Sequence, residues 1–342
     1  MKQVKWGIIG LGAIASQFAN GFNNLTNAKL LGIASNNNEK IKKFKDNYKI
    51  NEDYCFNNYE DIIKNQDIDI IYIALPTSLH FEWIIKCLNA KKKVLVEKPA
   101  TINSEQSINI KNNFLRKDLL FTEGFMYLYH PKIRKILEII KSDEIGELIS
   151  MESVFGYNFL SKKNFFGFEK KKKIDPKNRL FNQKLGGGAI LDLGCYPVSF
   201  STLVASLKSN INYDRIKIFN KKKEILSTNV DIDSYAELKF ENNFVSKIAA
   251  SFKKNLGKKT KILGTKGELI IEDTWTSDSS NIIINIDNKD KVISISENKN
   301  IYSYEIESIS HCIIQKKTKV DFPGLTIDQT IGNMKIIDKW LS

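Results

Sequence analysis

A glycine-rich turn at residues 10–15 has the residue types and the spacing that hold a phosphate group. It reads G-x-G-x-x-A, with Gly10 and Gly12 placed directly after an apolar run that is typical of a strand. Gly10 allows a tight turn, and Gly12 lets backbone N–H groups approach a pyrophosphate. Ala13 and Ile14 begin a helical pattern, whose free N–H groups and positive dipole end favour an anion. The spacing therefore predicts a dinucleotide-binding turn.

The end of the second predicted strand indicates which dinucleotide binds. Sites specific for NAD place a carboxylate about 20 residues after the glycines, where it bonds the ribose 2′-hydroxyl. Here Ser35 and Asn36 occupy that place, and Lys40, Lys42 and Lys43 follow. Because no carboxylate repels a 2′-phosphate, we expect NADP to be preferred, with NAD also possible.

Two more strand ends predict groups near the same crevice, because ligands of open α/β sheets bind beyond the carboxyl ends of the strands. Leu75 and Pro76 end one strand and pass into a helix that carries His80. Glu97 and Lys98 end another strand that is apolar throughout. A lysine there has a desolvation cost, which favours a functional role. A strand-end lysine that reaches solvent is the alternative.

Short apolar runs that alternate with amphipathic stretches must position these residues. The predicted strands are 4–9, 29–34, 68–74, 93–96 and 119–122, and the predicted helices are 13–23, 78–89 and 104–116. This alternation predicts an α/β domain with a doubly wound parallel sheet, a Rossmann domain, over residues 1–123.

The pattern changes in the second part of the chain. A helix is predicted at 131–141 and a long strand at 147–157, and alternating runs follow at 234–240, 245–252, 259–263 and 268–272. They predict a second α/β domain over residues 124–342, with an open, mostly antiparallel sheet and a closing helix at 327–341.

Composition excludes several classes of protein. The 342 residues are 42% hydrophobic and 27% charged, unlike a disordered or fibrous chain. The net charge of +13 is spread along the sequence without a nucleic-acid motif, so no nucleic-acid partner is predicted. The four cysteines lack metal-ligand spacing, which predicts free thiols and no metal site. No signal-peptide order and no apolar run near 20 residues are found, so we expect a cytoplasmic protein without a membrane partner.

Further segments carry a resemblance to a known family. Residues 97–99 read E-K-P, residues 123–131 read E-G-F-M-Y-L-Y-H-P, and residues 185–197 read L-G-G-G-A-I-L-D-L-G-C-Y-P. Together with the glycine turn they resemble the Gfo/Idh/MocA oxidoreductases, which include glucose-fructose oxidoreductase, inositol dehydrogenases and dimeric dihydrodiol dehydrogenase. The resemblance covers nearly the whole chain.

The resemblance implies an NAD(P)-dependent enzyme that acts on CH–OH groups, with Lys98 beside the substrate hydroxyl and the nicotinamide. Asp192 and Tyr196 would come from the second domain. Oxidising a secondary alcohol needs a base for the hydroxyl proton. Tyrosine titrates near pH 10 and needs a neighbouring cation to act at neutral pH, and Lys98 would supply it. Asp192 and Tyr196 are four residues apart, which places both on one face of a helix.

Most of the remaining site residues follow from the same resemblance. Leu75, Pro76, His80 and Glu97 match segments that border the cofactor, although His80 could instead cap its helix. Tyr127 and His130 are expected to contact the substrate. Arg179 is expected to reach a substrate oxygen or carboxylate for a separate reason, which is that it precedes the glycine-rich segment. The family commonly has arginine where Leu128 stands, so any polar contact of that arginine is absent here.

The sequence therefore predicts hydride transfer between NADP and a hydroxyl or carbonyl group of an aldopyranose-like sugar. Tyr196 stands where inositol dehydrogenases of the family commonly have histidine and where the sugar and dihydrodiol enzymes commonly have tyrosine, which favours the latter two. An inositol or trans-dihydrodiol dehydrogenase is the alternative, and a non-catalytic NAD(P)-binding sensor or co-repressor is the alternative from another class. A homodimer or homotetramer through the sheet of the second domain is expected by analogy.

Overall fold

The chain is described from a computed structural model that places residues 2–114, 119–163, 168–276, 279–297 and 299–342. Residues 1–130 and 298–331 form one unit, and residues 131–297 and 332–342 form a second. The sequence predicts a boundary between residues 123 and 124, whereas the first segment of the first unit continues to residue 130. No pattern in the sequence indicates that residues 298–331 rejoin the first unit.

Helices alternate with strands along the first unit, and strands predominate in the second. The helices are α1 (Ala13–Asn20), α2 (Asn38–Tyr48), α3 (Tyr59–Lys64), α4 (Thr77–Asn89), α5 (Ser104–Phe114), α6 (Pro131–Lys141), α7 (Cys195–Ser206), α8 (Ile301–Ile314) and α9 (Ile327–Leu341). The strands of the first unit are β1 (Val4–Ile9), β2 (Ala28–Ala34), β3 (Cys55–Phe56), β4 (Ile70–Ile73), β5 (Lys93–Glu97) and β6 (Phe121–Gly124). Those of the second unit are β7 (Leu148–Gly156), β8 (Ser161–Lys163), β9 (Glu169–Lys171), β10 (Lys217–Ile225), β11 (Asp231–Lys239), β12 (Val245–Ser251), β13 (Thr260–Gly264), β14 (Glu268–Ile271), β15 (Ser279–Ile286) and β16 (Lys289–Ser296).

The first unit contains a parallel sheet in the order β3-β2-β1-β4-β5-β6. This is the strand order of a dinucleotide-binding Rossmann sheet, so the predicted fold class is confirmed. All four residues of β4 are buried. Strands covered on both faces read as continuous apolar runs, which is why the sequence located them. The predicted helix 104–116 extends to residues 115 and 116, which lie outside the described residues.

Helix α8 returns to the first unit through polar contacts as well as apolar packing. Trp6 on β1 donates its indole N–H to the Ser310 hydroxyl at 3.0 Å. The Ser303 hydroxyl donates to the Gly21 carbonyl at 2.8 Å, just beyond α1. These buried bonds explain why residues 298–331 belong to the first unit rather than to the second domain that the sequence suggested.

The second unit contains an open sheet in the order β10-β11-β12-β7-β13-β14-β15-β16. Strands β12 and β7 pair in parallel, and the other neighbours pair antiparallel. The prediction of a mostly antiparallel sheet is confirmed, although the sequence patterns missed β10, β15 and β16. Strands β8 and β9 form a separate two-stranded pair.

Helix α7 lies against β7 and β12 and is buried along nearly its whole length. The stretch Gln183–Ser206, which contains it, is long and apolar enough to cross a membrane by length and composition alone. This stretch corrects the expectation that the chain has no apolar run near 20 residues. Because 94% of its apolar window is buried inside the structure, the stretch is evidence for a core helix rather than for a membrane span.

Candidate functional site

The glycine turn has a backbone that only glycine adopts without strain at its first position. Gly10 has a φ of +86°, in the left-handed region. A Cβ there would lie 2.6 Å from the Ala74 carbonyl oxygen and 2.8 Å from Leu75 Cδ2. The turn therefore packs against the segment that follows β4. The strand order of the sheet reverses between β1 and β4. Ligands of this fold bind at that reversal.

Gly12 has the opposite character, because it faces open space. No heavy atom lies within 4 Å of the position that its Cβ would occupy. Gly12 is also the N-cap of α1, and no side chain caps that end of the helix. Ala13 and Ile14 are the first helical residues, and buried Ala15 packs the helix onto the unit. The vacant Cβ position and the uncapped N–H groups fit the pyrophosphate of a dinucleotide.

The segment after β2 carries hydroxyl and amide groups but no carboxylate. Ser35 is buried, and its hydroxyl accepts the Asn37 N–H at 3.2 Å. Asn36 is exposed. The Asn37 side chain caps α2 by accepting the Lys40 N–H at 3.0 Å. Residues 36–40 are all exposed, so Asn36 and Lys40 are accessible at this strand end, and the first carboxylate after β2 is that of Glu39.

His80 lies inside the first unit and bonds the backbone. Its Nδ1 lies 2.9 Å from the Pro99 carbonyl oxygen, and its Nε2 lies 2.8 Å from the Leu75 carbonyl oxygen. The residue is only 1% exposed. Pro76 is the N-cap of α4, so His80 follows one turn into the helix. Both ring nitrogens of His80 therefore lie within hydrogen-bond distance of backbone carbonyl oxygens. The predicted contact of His80 with a cofactor stays a prediction.

Lys98 is half-buried at the end of β5, next to a carboxylate that is held inside the unit. The Tyr72 hydroxyl donates to Glu97 Oε1, and the Lys98 N–H donates to Glu97 Oε2 at 3.3 Å. Burial, followed by the charge of Glu97, raises the pKa of Tyr72 well above its usual value. Tyr72 therefore stays protonated and keeps donating. Glu97 supports the strand end, and its predicted role as a cofactor ligand stays a prediction.

Glu123 lies in the resembling segment 123–131, and the sequence alone assigns it no role. It is 2% exposed on β6, and its Oε1 accepts the Ala100 N–H at 2.9 Å. Its Oε2 accepts the Thr330 hydroxyl at 2.9 Å. Burial raises the pKa of Glu123 to about 7, although both donors and the charge of Lys98 oppose that rise. Glu123 therefore titrates near neutral pH beside the segment that carries Lys98.

Tyr127 and His130, which are predicted to contact substrate, have no exposed surface. The Tyr127 ring lies 5.9 Å from Phe125 in an edge contact, and the His130 ring lies 5.3 Å from Tyr304. Both residues belong to the first unit and take part in its aromatic packing. Their contact with substrate stays a prediction.

In the second unit the structure brings two predicted substrate residues together. Arg179 begins a short 3₁₀ helix, Arg179–Phe181, and Asp192 lies in a π-helical turn, Ile190–Gly194. Arg179 donates from Nη1 to Asp192 Oδ1 at 3.1 Å. The Arg179 side chain is 58% exposed and that of Asp192 is 12% exposed. Solvent weakens such a pair, so it orients Asp192 more than it stabilises the fold.

The π-helical turn depends on Asp231, a residue that no sequence pattern indicated. Asp231 Oδ2 accepts the Ile190 N–H and the Ser234 hydroxyl, each at 2.9 Å. A Cβ on Gly188, whose φ is +117°, would lie 2.4 Å from Asp231 Oδ1. Gly188 thus makes room for a buried carboxylate that holds the start of the turn. That glycine run was the available signal, but Asp231 is 41 residues away from Ile190.

Tyr196 follows the π-helical turn, on α7, and is 4% exposed. Its ring packs at 5.1 Å from Phe155 and 5.7 Å from Trp275. Asp192 lies in the π-helical turn and Tyr196 at the start of the α-helix that follows it, so the two residues do not belong to one regular α-helix. That their side chains share one face stays a prediction. Among the described residues, no group of three or more His, Cys, Asp or Glu is placed to hold a metal ion.

Two family models match the chain. The model described as "Oxidoreductase family, NAD-binding Rossmann fold" matches residues 4–125. The model described as "GFO/IDH/MocA C-terminal domain" matches residues 133–270. The two matches together span most of the sequence, including Gly10, Lys98, Asp192 and Tyr196.

Individual relatives agree in length and in fold. A trans-1,2-dihydrobenzene-1,2-diol dehydrogenase of Xenopus tropicalis is 27% identical over 321 residues, which is 91% of this chain and 89% of that protein. The aldose-aldose oxidoreductase of Caulobacter crescentus is 18% identical with a TM-score of 0.84, covering 99% of this chain and 96% of that one. A 3-ketoreductase of Actinomadura kijaniata, solved in complex with NADP and TDP-benzene, is 20% identical with a TM-score of 0.81, covering 98% and 96%.

Proposed function

Because the chain belongs to the Gfo/Idh/MocA oxidoreductase family, we propose that it transfers a hydride between NADP and a hydroxyl or carbonyl group of a sugar. The observation that carries the proposal is the geometry of the glycine turn. Gly12 has open space in front of an uncapped helix end, at the strand reversal of a Rossmann sheet. Lys98 directly follows β5 of the same sheet, as a half-buried cation. NADP, when bound, supplies the site that accepts or donates the hydride.

We propose that this chain's residues supply the proton half of the reaction. Lys98 orients and polarises the substrate oxygen, and Tyr196 gives or takes the proton at its phenolic oxygen. Asp192 supports them, and Arg179 holds its carboxylate in place. A proton donor that sits in an aromatic environment, as Tyr196 does between Phe155 and Trp275, is sheltered from competing water.

We propose that NADP is preferred over NAD. The segment after β2 offers Ser35 and exposed Asn36, with exposed lysines on α2 and no carboxylate before Glu39. The related 3-ketoreductase is known in complex with NADP. Titration of both cofactors by intrinsic fluorescence should give the lower Kd for NADP. Asn36→Asp should weaken NADP by about tenfold or more, because it places a carboxylate near the 2′-phosphate. A wild type that binds NAD more tightly would contradict the preference.

The substrate that we propose is a cyclic polyol, with an aldopyranose as the leading candidate. The related proteins are named for an aldose, for a dTDP-linked didehydro-glucose or for a dihydrodiol, so a ring that carries hydroxyl groups is the shared chemistry. A panel of aldopyranoses, sugar acids, inositols and a dihydrodiol should show one class that changes the absorbance of reduced nicotinamide. Turnover of an inositol or a dihydrodiol alone would select that alternative. If NADP binds but no compound of the panel changes the absorbance, the non-catalytic sensor or co-repressor would be favoured.

We also propose that two copies associate through the open face of the large sheet. Glu237, Lys247, Glu152 and Lys261 are direct cross-strand neighbours on β11, β12, β7 and β13. Direct neighbours share a face, so their charges alternate along one row. A two-fold axis reverses the row in the second copy and places each acid over a base, which makes the face self-complementary.

Apolar residues extend that row over the remaining strands and add area for association. Ile270, Ile283 and Val292 continue it on β14, β15 and β16, and Val292 is 56% exposed. The double variant Lys247→Glu and Lys261→Glu makes the charged part uniformly negative. Sedimentation velocity should show an assembled wild type and a monomeric variant. A monomeric wild type, or a variant that stays assembled, would contradict the proposal.

The four cysteines support a reducing compartment, and we infer the cytoplasm. None of Cys55, Cys87, Cys195 and Cys312 takes part in a disulfide bond, and the last three are buried. Unpaired thiols persist where cellular reductants keep them reduced.

A further inference from the structure

The backbone around Lys98 is held by three buried side chains that come from different elements. Glu97 on β5 accepts the Lys98 N–H at 3.3 Å. His80 on α4 places Nδ1 at 2.9 Å from the Pro99 carbonyl oxygen. Glu123 on β6 accepts the Ala100 N–H at 2.9 Å. Residues 98–100 thus have a polar backbone group bonded to a buried side chain at each position.

Glu123 is anchored so that its reach to Ala100 is fixed. In the sheet it pairs with Val96, two residues before Lys98. Its second oxygen accepts the hydroxyl of Thr330, which is fully buried. A threonine hydroxyl both donates and accepts, so this anchor persists whether Glu123 is ionised or protonated. The Ala100 N–H therefore keeps an acceptor in either state.

His80 holds the other side of the segment in a comparable way. Its second ring nitrogen lies 2.8 Å from the Leu75 carbonyl oxygen, in the chain that leaves β4. A carbonyl oxygen only accepts, so the ring donates to one carbonyl as the neutral form and to both as imidazolium. His80 therefore ties the segment at Pro99 to the strand end beside Gly10, whose missing Cβ faces Leu75.

A lysine carries its ammonium on a long and flexible side chain, so the backbone at Lys98 sets the range of positions that the ammonium can reach. We propose that Glu123 and His80 are positioning residues for Lys98, which fix the backbone of residues 98–100 and thereby the place of the Lys98 ammonium. The proposal rests on the proposed function, because it is there that Lys98 acts on the substrate oxygen. Three hydrogen bonds on three consecutive residues, two of them buried and one partly buried, are more than a strand end that only reaches solvent would need.

Variants at Glu123 separate positioning from burial. Glu123→Ala removes the acceptor of the Ala100 N–H. Glu123→Gln keeps it, because the amide oxygen accepts from Ala100 and the amide N–H donates to Thr330. Thr122→Val is the matched control, since it removes a buried 2.9 Å bond from the same strand to the Leu325 carbonyl. His80→Phe is an independent variant that keeps a ring but bonds no carbonyl.

We expect Glu123→Ala and His80→Phe to lower kcat by about tenfold or more, since small misplacements of reacting groups have effects of that size. The Kd for NADP should stay within about threefold. Glu123→Gln should restore most of kcat, and Thr122→Val should resemble the wild type. A Glu123→Ala kcat equal to that of Thr122→Val would overturn the proposal. So would a Glu123→Gln kcat as low as that of Glu123→Ala, because charge rather than position would then be responsible.

Hydrogen–deuterium exchange measures the same bond without any turnover. A peptide that spans residues 94–101 should exchange faster in Glu123→Ala and at the wild-type rate in Glu123→Gln. If the peptide exchanges at the wild-type rate in Glu123→Ala, the proposal that Glu123 fixes the backbone of residues 98–100 is overturned, even if kcat is lowered. If the wild type turns over none of the sugars, the proposed function fails, and faster exchange in Glu123→Ala would still support the hold.

Discussion

Replacing Glu123 by glutamine should change how the free energy of unfolding depends on pH. Burial raises the pKa of Glu123 to about 7 from a usual value of 4.5. Below pH 4.5 the carboxyl is protonated in both folded and unfolded chains. Between 4.5 and 7 the unfolded chain ionises first, so stability falls as pH rises through this window. Above pH 7 the full penalty is present, about 3 kcal/mol at about 1.4 kcal/mol for each pKa unit.

Glutamine has no such titration and keeps both hydrogen bonds. The free energy of unfolding of Glu123→Gln, relative to the wild type, should therefore rise by about 2 to 3 kcal/mol between pH 5 and pH 8. Urea unfolding at the two pH values measures that difference. Thr122→Val is the control, because it removes no ionisable group and its difference from the wild type should be the same at both pH values. Equal shifts for the two variants would refute the reasoning.

Two further predictions concern the turn and the π-helical segment. Gly10→Ala should destabilise the fold by about 1 to 3 kcal/mol or more, because its φ is +86° and the added Cβ would lie 2.6 Å from the Ala74 carbonyl oxygen. Gly12→Ala should keep the Tm but weaken NADP binding about tenfold or more, because the added methyl enters the open space left for the pyrophosphate. Calorimetry measures the Tm of both variants, and titration measures their Kd for NADP. Equal Tm values for Gly10→Ala and Gly12→Ala would contradict the difference between the two glycine positions. Asp231→Ala should cost about 1 to 3 kcal/mol by leaving the buried Ile190 N–H without its acceptor. It should also lower kcat more than Asp231→Asn does. Urea unfolding measures the first effect and steady-state kinetics the second, and a loss of stability with an unchanged kcat would contradict the expected effect on the site.

Elements whose signals are local and strong can be located from the sequence. Strand β1 is predicted with the bounds that the structure has, because an apolar run ends at a glycine that must turn. Helix α6 is also predicted with its observed bounds, since its apolar residues repeat with helical spacing and six of its residues, Lys132 among them, are buried. In both places the residues that define the element lie within it.

The elements that escape prediction have weak or misleading patterns. Strand β10, Lys217–Ile225, contains three consecutive lysines, and no residue of it is fully buried. Strand β16 is largely exposed as well. Helix α2 buries only Ile41 and Phe44. Such exposed elements form because neighbouring elements supply hydrogen bonds and shield their apolar side chains from water. That contribution does not appear in the sequence of the element itself.

The candidate site divides in the same way. The glycine turn could be predicted because the strand, turn and helix that build it are adjacent in sequence. Glu123 and Asp231 could not, because their partners Ala100 and Ile190 lie 23 and 41 residues away. A buried carboxylate that bonds a distant backbone N–H looks, in sequence, like any other acid at a strand end.

In the proposed reaction, Tyr196 transfers the proton and Lys98 polarises the substrate oxygen, while the glycine turn holds NADP. The most direct test measures kcat for the wild type, Tyr196→Phe and Lys98→Met on one substrate of the panel, with the Kd for NADP determined in parallel. Both variants should bind NADP within about threefold of the wild type and lose about 10²-fold or more in kcat. Tyr196→Phe that turns over at a near-normal rate would contradict the proposed proton transfer.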